Sequence, residues 1–564
     1  VAVVARRGSP SLGLVVAISG MATLGSEIAA ARLLAPAFGS STVIWANTIA
    51  IVLVALALGA WFGGRIADSG PSPHRMFGLM LGGAGLLALT PILATPLLGA
   101  GVEALDEINA PGFFGSLVAV LLLVATPLAL LGAVTPYAVR LALDEVEATG
   151  DDAVARAGRT AGRLSALATG GSLVGTFLAA LALIPLLGTR RTFLLFALAL
   201  ALVAAWGLLS TAGRRDDPAG DAAGGGDAAE ADAGAATARR GYPVTFAIVV
   251  PLAIAVLFAL PAPTIKAAGT QQRLLEERET SEQYARVLQS ADGTRIMELG
   301  EGHAIHSLWR EGTVMTGLYW DELLALPHLA ARTPRRVLIL GNAGGTAATA
   351  MRALDPNVVV DAVDYDEQLA ELGQRWFGLG GDRLNLKTGD ARVELRRSEP
   401  GYDAILVDAY RQPYIPFHLS TREFFTLARE RLAPGGVVIV NVGHPEGDDE
   451  LEKVLAATMR AAGLRTVLRD PAQSLNTQLI GAAGELDPAA LQRAAALAEG
   501  RGATGEGVRA PATAADLAQL AATMRATAAR LEPARRGGPV YTDDKAPVEL
   551  LIDGSLAKVA AAGG

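Results

Sequence analysis

The sequence predicts a chain in two parts: a multi-span α-helical membrane domain, then an α/β domain on a mostly parallel sheet. Three observations carry this. The 564 residues are 51% hydrophobic and 18% charged, with a mean hydropathy of +0.36, a mixture that fits membrane spans joined to a soluble part. Apolar stretches long enough to cross a bilayer recur through the first half. From residue 337 onward, short apolar runs alternate with helix-forming ones, the pattern of a parallel sheet covered by helices on both faces.

The spans fall near 12–34, 43–64, 76–99, 114–138, 164–187, 192–211 and 243–262. "TVIWANTIAIVLVALALGAWFGG" and "RTFLLFALALALVAAWGLL" are the clearest. Arg6 and Arg7 before the first span resemble the start of a signal peptide, but the further spans make it a true first helix. The domain boundaries are therefore 1–211 for six spans, 212–240 for a linking loop, 241–264 for a seventh span, 265–316 for a small β-sheet and 317–564 for the α/β domain. Residues 212–240 are Ala, Gly and Asp with few large apolar side chains, so they read as a flexible low-complexity loop.

Arginines give a topology. Arg6 and Arg7, Arg65 and Arg75, Arg140 with Arg156, Arg159 and Arg163, and Arg214, Arg215, Arg239 and Arg240 mark alternate loops. The loop after span three has acids and no Lys or Arg. These place the N-terminus in the cytoplasm and the chain in the cell membrane as a multi-pass protein. Arg190 and Arg191, between spans five and six, dissent. Seven spans put the C-terminal half outside, which conflicts with a cytoplasmic nucleotide, so its side stays open. Glu27 lies in span one near Arg32; an ionisable group at that depth is a functional candidate, with an ion pair or an interfacial position as the plainer reading.

The second half begins with "YARVLQ", "TRIMELG" and "AIHSLW", short alternating runs that make the small β-sheet. Then Val337–Leu340 is a strand and Thr346–Leu354 a helix; Val358–Val363 a strand and Glu367–Trp376 a helix. "LNLKTGD" is a strand and "ARVELRRS" begins a helix. Ala404–Val407 is a strand, and Thr421–Leu432 a helix opened by Ser420 with Glu423 as a capping box. "GGVVIVNV" is a strand after a Pro-Gly-Gly turn.

In such sheets a ligand sits outside the carboxyl ends of the strands. Four strands deliver chemistry there: Gly341-Asn342-Ala343-Gly344-Gly345, then Asp364 and Asp366, then Gly389-Asp390-Ala391, then Asp408. Glycines let backbone pass close to a ligand. The spacing G-x-x-G-G fits neither an NAD fingerprint nor a P-loop. Asp364, about 20 residues past the glycines, stands where an acid accepts ribose hydroxyls. Asp390 is suited to an adenine amino group or to capping the next helix. The net charge of −8 argues against nucleic-acid binding. With no cysteine, thiolate chemistry, disulfides and Cys-ligated zinc are excluded. His303 and His306, three apart on a strand, face opposite sides and make a poor metal pair.

This ordered set resembles the spermidine synthases (polyamine aminopropyltransferases), in particular their membrane-fused subgroup, over roughly 275–555. "ETSEQYARV" is similar to the family's entry strand, "GLYWDELLALPHL" to its Tyr-led helix, "YDAILVDAY" to the strand of the catalytic Asp, "STREFF" to the helix after it, and "YTDDKAPVELL" to the ending of fused members. The resemblance implies a class I methyltransferase-like (Rossmann-like) fold and aminopropyl transfer from decarboxylated S-adenosylmethionine to an amine, with no metal. It implies Asp408 as base, Asp364 on ribose, and Asp390 with Ala391 on adenine. Gly341, Gly344, Gly345 and Gln283 would hold the nucleotide, and Tyr319 and Tyr410 the acceptor. The implied partners are the lipid bilayer, an adenosyl nucleotide and an amine or other small acceptor, with a homodimer left open and no nucleic acid.

Three departures bear on this. Ala343 stands in a shortened glycine loop where the family carries an acid that contacts the aminopropyl amine. Arg411 replaces the second acid after Asp408, and Trp320 stands for His or Gln. A cation near an acceptor amine repels a polyamine. The alternatives are therefore an S-adenosylmethionine-dependent methyltransferase-like enzyme, or a non-catalytic nucleotide-binding membrane transporter or sensor.

Overall fold

The computed structural model describes residues 10–38, 42–107, 112–147, 153–212, 229–261, 264–300, 304–410, 414–500 and 512–562. The chain divides into two compact units, one of Val1–Glu107 and Gly112–Ile265, the other containing Lys266–Gly564.

The first unit is helical. Six of its described helices are long and apolar enough to cross a membrane: Leu12–Phe38, Ile44–Asp68, Pro73–Leu98, Gly115–Asp144, Ala157–Leu187 and Thr189–Thr211. Two of them carry a π turn, at Leu121–Ala125 and Ala179–Leu183. Each turn ends just before a proline, Pro127 or Pro185, whose missing N–H removes a rung of the ladder. Helices Leu12–Phe38 and Ala153–Leu178 meet at backbone contact. A Cβ on Gly171 would lie 2.1 Å from the Ala17 carbonyl oxygen, and one on Gly175 2.0 Å from that of Met21.

Two expectations for this half need correction. The expected seventh span holds the described apolar stretch Val244–Ala259. It ends a helix that begins at Ala229, so the last part of the expected 212–240 loop is helical. Its alanines have the highest helix propensity, enough to offset the glycines; residues 213–228 lie outside the described residues. Arg190 does not behave as a loop charge. Its guanidinium donates to the carbonyls of Leu257, Leu260 and Pro261 at 3.1–3.4 Å, closing the C-terminal end of that helix.

The second unit holds two sheets. The first is an antiparallel meander of β1 (Gln272–Glu279), β2 (Tyr284–Ser290), β3 (Arg295–Leu299) and β4 (Ile305–Trp309). The second contains β5 (Arg336–Leu340), β6 (Val359–Asp364), β7 (Leu384–Thr388), β8 (Tyr402–Val407), β9 (Leu432–Gly443), β10 (Thr466–Asp470), β11 (Asn476–Ala482) and β12 (Glu532–Pro533). Their order is β12-β10-β11-β9-β8-β5-β6-β7. Strands β7, β6, β5, β8 and β9 are parallel, and β11, β10 and β12 extend the sheet antiparallel. This is the α/β architecture of the class I methyltransferase-like type, with β5 next to β8 where the strand order turns. Its two faces are buried separately. Leu338, Leu340, Ile405 and Val407 pack on one side; Val337, Ile339, Ala404 and Leu406 pack on the other. Alternation along a strand covered on both faces produces that split.

Two local expectations shift. Thr421, not Ser420, caps helix Arg422–Arg431, accepting from the Phe424 N–H. The Ser420 hydroxyl instead donates to the Phe417 carbonyl in the preceding 3-10 turn. The Pro-Gly-Gly turn lies inside β9 as a bulge: Leu432 pairs with Tyr402, and Val437 with Ala404. Gly435, at φ +76°, absorbs the extra residues.

Candidate active site

The carboxyl ends of β5, β6, β7 and β8 converge as the strand pattern requires. At the end of β5 the chain turns sharply against the end of β8. Gly341 sits at φ +92°, and a Cβ there would come within 2.3 Å of the Asp408 carbonyl oxygen. Asp408 N–H in turn donates to the Leu340 carbonyl at 2.8 Å. Gly345, at φ +87°, is the left-handed N-cap of helix Thr346–Leu354. Gly344 donates its N–H to Ser307 Oγ at 2.8 Å, which docks the loop on β4.

Asp364 holds this loop. Its Oδ2 accepts the N–H groups of Asn342 at 3.0 Å and Ala343 at 2.7 Å, and its Oδ1 accepts that of Asp366 at 3.1 Å. Burial pushes its carboxyl up against the pull of those three bonds. Asp366 caps helix Glu367–Trp376 and meets the Thr280 hydroxyl at 2.5 Å. Thr280 Oγ1 also accepts the Gln283 N–H at 2.8 Å. The turn carrying Gln283 is thereby seated at the end of β6, beside Asp364.

Asp390 does cap its helix. Its Oδ1 accepts the N–H groups of Arg392 and Val393, each at 2.9 Å, ahead of Ala391 and its successors in helix Ala391–Arg397. Its Oδ2 lies 2.9 Å from His418 Nε2. Arg392 forms a two-pronged pair with Asp543 at 2.7 Å, and Asp543 also accepts from Thr421. The "YTDDK" segment is thus fastened over the end of β7.

Asp408 follows the last residue of β8. Tyr319 donates to its Oδ2 at 3.1 Å, and Asn441 Nδ2 to its Oδ1 at 2.7 Å. Desolvation pushes the carboxyl up to about 7, while the Asn441 and Tyr319 bonds pull it down. Burial, then the Asp408 charge, pushes the Tyr319 hydroxyl well above its ordinary value, so it stays a donor. The Tyr410 hydroxyl donates to the Asn441 carbonyl at 2.7 Å and accepts the Gly443 N–H at 2.8 Å. Both its roles are taken by β9, so it braces the strand end.

The structure therefore brings Gly341, Asp364, Asp408, Tyr319 and Tyr410 to one edge, with Gln283 on the turn beside β6 and Asp390 and Ala391 at β7. Asn441, Asn476, Gln478, His418, Thr280 and Ser307 belong to the same edge and were missed. Only Asn441 had a local signal, one polar residue in the apolar run "VVIVNV". Arg411 and His303 lie outside the described residues. His306 is pushed down to about 4 by burial. Among the described residues no group of three or more His, Cys, Asp or Glu is placed to hold a metal ion.

The family model described as "Spermine/spermidine synthase domain" matches residues 317–467. A relative from Bifidobacterium longum, named "Probable polyamine aminopropyl transferase", is 30% identical over 312 residues, covering 54% of this chain and 68% of the relative. "Polyamine aminopropyltransferase" of Vibrio vulnificus is 37% identical over 112 residues, 19% of this chain and 38% of the relative. The crystal structure of a probable spermidine synthase from Corynebacterium glutamicum aligns at 20% identity and a TM-score of 0.35, covering 47% of this chain and 96% of that one.

Proposed function

The chain belongs to the polyamine aminopropyltransferase family, a family of transferases, and from that premise we propose that it moves an aminopropyl group from decarboxylated S-adenosylmethionine to an amine. The observation that supports this best is the Asp408 carboxyl, desolvated to about 7 and held by Tyr319 and Asn441 beside the Gly341 turn. A base titrating near neutrality is suited to an amine that must lose a proton to react.

In the reaction, the acceptor nitrogen attacks the propyl carbon bonded to the sulfonium. A C–N bond forms, the C–S bond breaks with its electron pair going to sulfur, and methylthioadenosine leaves. The proton lost by the nitrogen goes to Asp408, with Tyr319 steadying the same oxygen. The sulfonium is a good leaving group, so alignment matters more than covalent help. Asp364 and the 341–345 turn take the ribose side, Gln283 lies next to it, and Asp390 with Ala391 takes the adenine. The helical half holds the transferase at the bilayer with its N-terminus in the cytoplasm.

Ala343 favours a second reading. Without an acid in the loop, nothing there selects the aminopropyl ammonium over the amino-acid end of S-adenosylmethionine, so methyl transfer on the same nucleotide is the competing activity. The test is the full chain in detergent, incubated with each donor and a panel of mono-, di- and triamines, with the products read by mass spectrometry. Release of methylthioadenosine with a propylamine adduct is expected. Methylated product with S-adenosylhomocysteine supports the second reading. Nucleotide binding without any transfer overturns both and leaves a binding protein.

A further inference from the structure

We infer that Asn441, clamped by Asn476 and Gln478, is the positioning residue of this site, fixing one oxygen of Asp408 so that the other is kept for the acceptor's proton. The inference rests on the aminopropyl transfer proposed above and adds to it a residue and a role.

The register creates the contact. Val407 of β8 pairs with Val440 of β9, so the next residues on each strand, Asp408 and Asn441, come side by side at the edge of the sheet. On the other side of β9, Asn441 stands directly opposite Gln478, and Gly443 opposite Asn476. Asn441 Oδ1 accepts from Gln478 Nε2 at 2.8 Å and from Asn476 Nδ2 at 3.1 Å. An amide has one accepting and one donating end. Two donors on Oδ1 turn Nδ2 toward Asp408, where it donates to Oδ1 at 2.7 Å.

A polar side chain in an apolar strand is costly unless it is bonded. Asn441 is 3% exposed and Gln478 1%, yet Asn441 uses both ends of its amide, and its carbonyl takes the Tyr410 hydroxyl. The arrangement is suited to an ionised carboxylate, which accepts and does not donate. Asn441 takes Oδ1 and Tyr319 takes Oδ2; a phenol hydroxyl can give way or share, whereas the doubly clamped amide cannot turn. The carboxylate plane is thereby set from the β9 side.

The test compares wild type with Asn441→Leu and Gln478→Leu in the full chain. Losing a hydrogen bond to a charged group should move the acidic limb of kcat upward by about one pH unit or more. Activity of Asn441→Leu at pH 7 then falls about fivefold or more and recovers at high pH, with KM for the nucleotide unchanged. Gln478→Leu, which leaves Asn441 in place with a single clamp, should shift the limb the same way by less. A loss that is equal at every pH marks a merely structural role and overturns the inference. A readout without turnover is the infrared carboxyl band that vanishes in Asp408→Asn; its midpoint should rise in Asn441→Leu. An unmoved midpoint overturns the inference, whereas a moved midpoint without any transfer by wild type overturns the proposed function alone.

Discussion

Tyr319 donates its hydroxyl to Asp408 Oδ2 across 3.1 Å, joining the helix that follows β4 to the end of β8. Asp408 accepts a proton only when ionised, and its carboxyl titrates at about 7. The rate should therefore rise with pH through about 7 and then level off. Tyr319→Phe removes a bond that favours the ionised form, so the rising limb moves to higher pH and the rate at pH 7 drops about tenfold. A stopped assay over pH 5.5–9.5, within about that range of carboxyl and amine titration, checks it; an unmoved limb rejects the pairing.

The same desolvation has a cost in stability. The folded-state value of Asp408, about 7, lies above the ordinary carboxylate value of about 3.9. Between the two, the folded chain retains a proton that the unfolded chain has released, so stability falls as pH rises through this window. The contribution is fully present at acid pH and gone above about 7. Asp408→Asn removes the charge in all states. It should abolish transfer, yet melt above wild type at pH 8, by up to about 4 kcal/mol for the gap between about 3.9 and about 7, with the difference narrowing toward pH 5. Thermal unfolding of both proteins at the two pH values decides it.

Asp364 has a structural task beside any ligand. Three backbone N–H groups rest on its carboxylate, and Asp364→Ala leaves them without that acceptor. Each unsatisfied buried donor costs about 1–3 kcal/mol, so the loop should open and the α/β unit lose stability by roughly 2–4 kcal/mol. Asp364→Asn, which keeps one accepting oxygen, should lose less stability than alanine. If the residue served only the ribose, both variants would weaken nucleotide binding and leave the melting temperature unchanged.

What was legible in the chain was local. The run Val337–Leu340, the glycine turn and helix Thr346–Leu354 follow one another within a short stretch, so propensity and turn chemistry agree. The same holds for helix Glu367–Trp376 and for Asp408 at the end of an apolar strand. What escaped depends on partners distant in sequence. Asn441 reads as a stray polar residue until β11 brings Asn476 and Gln478 opposite it. His418 meets Asp390 across 28 positions. Ser420 and Thr421 are both good caps by type; Thr421 caps the helix, while the Ser420 hydroxyl is taken by the 3-10 turn at Phe417–Leu419. The start of the helix at Ala229 was hidden by composition, since Ala with Gly and Asp reads both as a poor core and as a fair helix.

Ala343 lies at φ +45°, a left-handed conformation that costs a residue with a Cβ about 1–2 kcal/mol. Ala343→Gly should relieve this and raise stability by up to about 1 kcal/mol, net of the glycine's greater unfolded-state freedom. Ala343→Asp tests function at the same backbone position, which aspartate tolerates better than alanine does. Its carboxylate would restore a charge where family members hold the aminopropyl amine. Calorimetry should show tighter binding of decarboxylated S-adenosylmethionine, by about tenfold for one charge-assisted bond. Methylthioadenosine, which lacks that amine, should bind as before. Equal gains for both ligands would mean that the new carboxylate acts on the loop rather than on the donor. No gain for either would place the aminopropyl end away from Ala343.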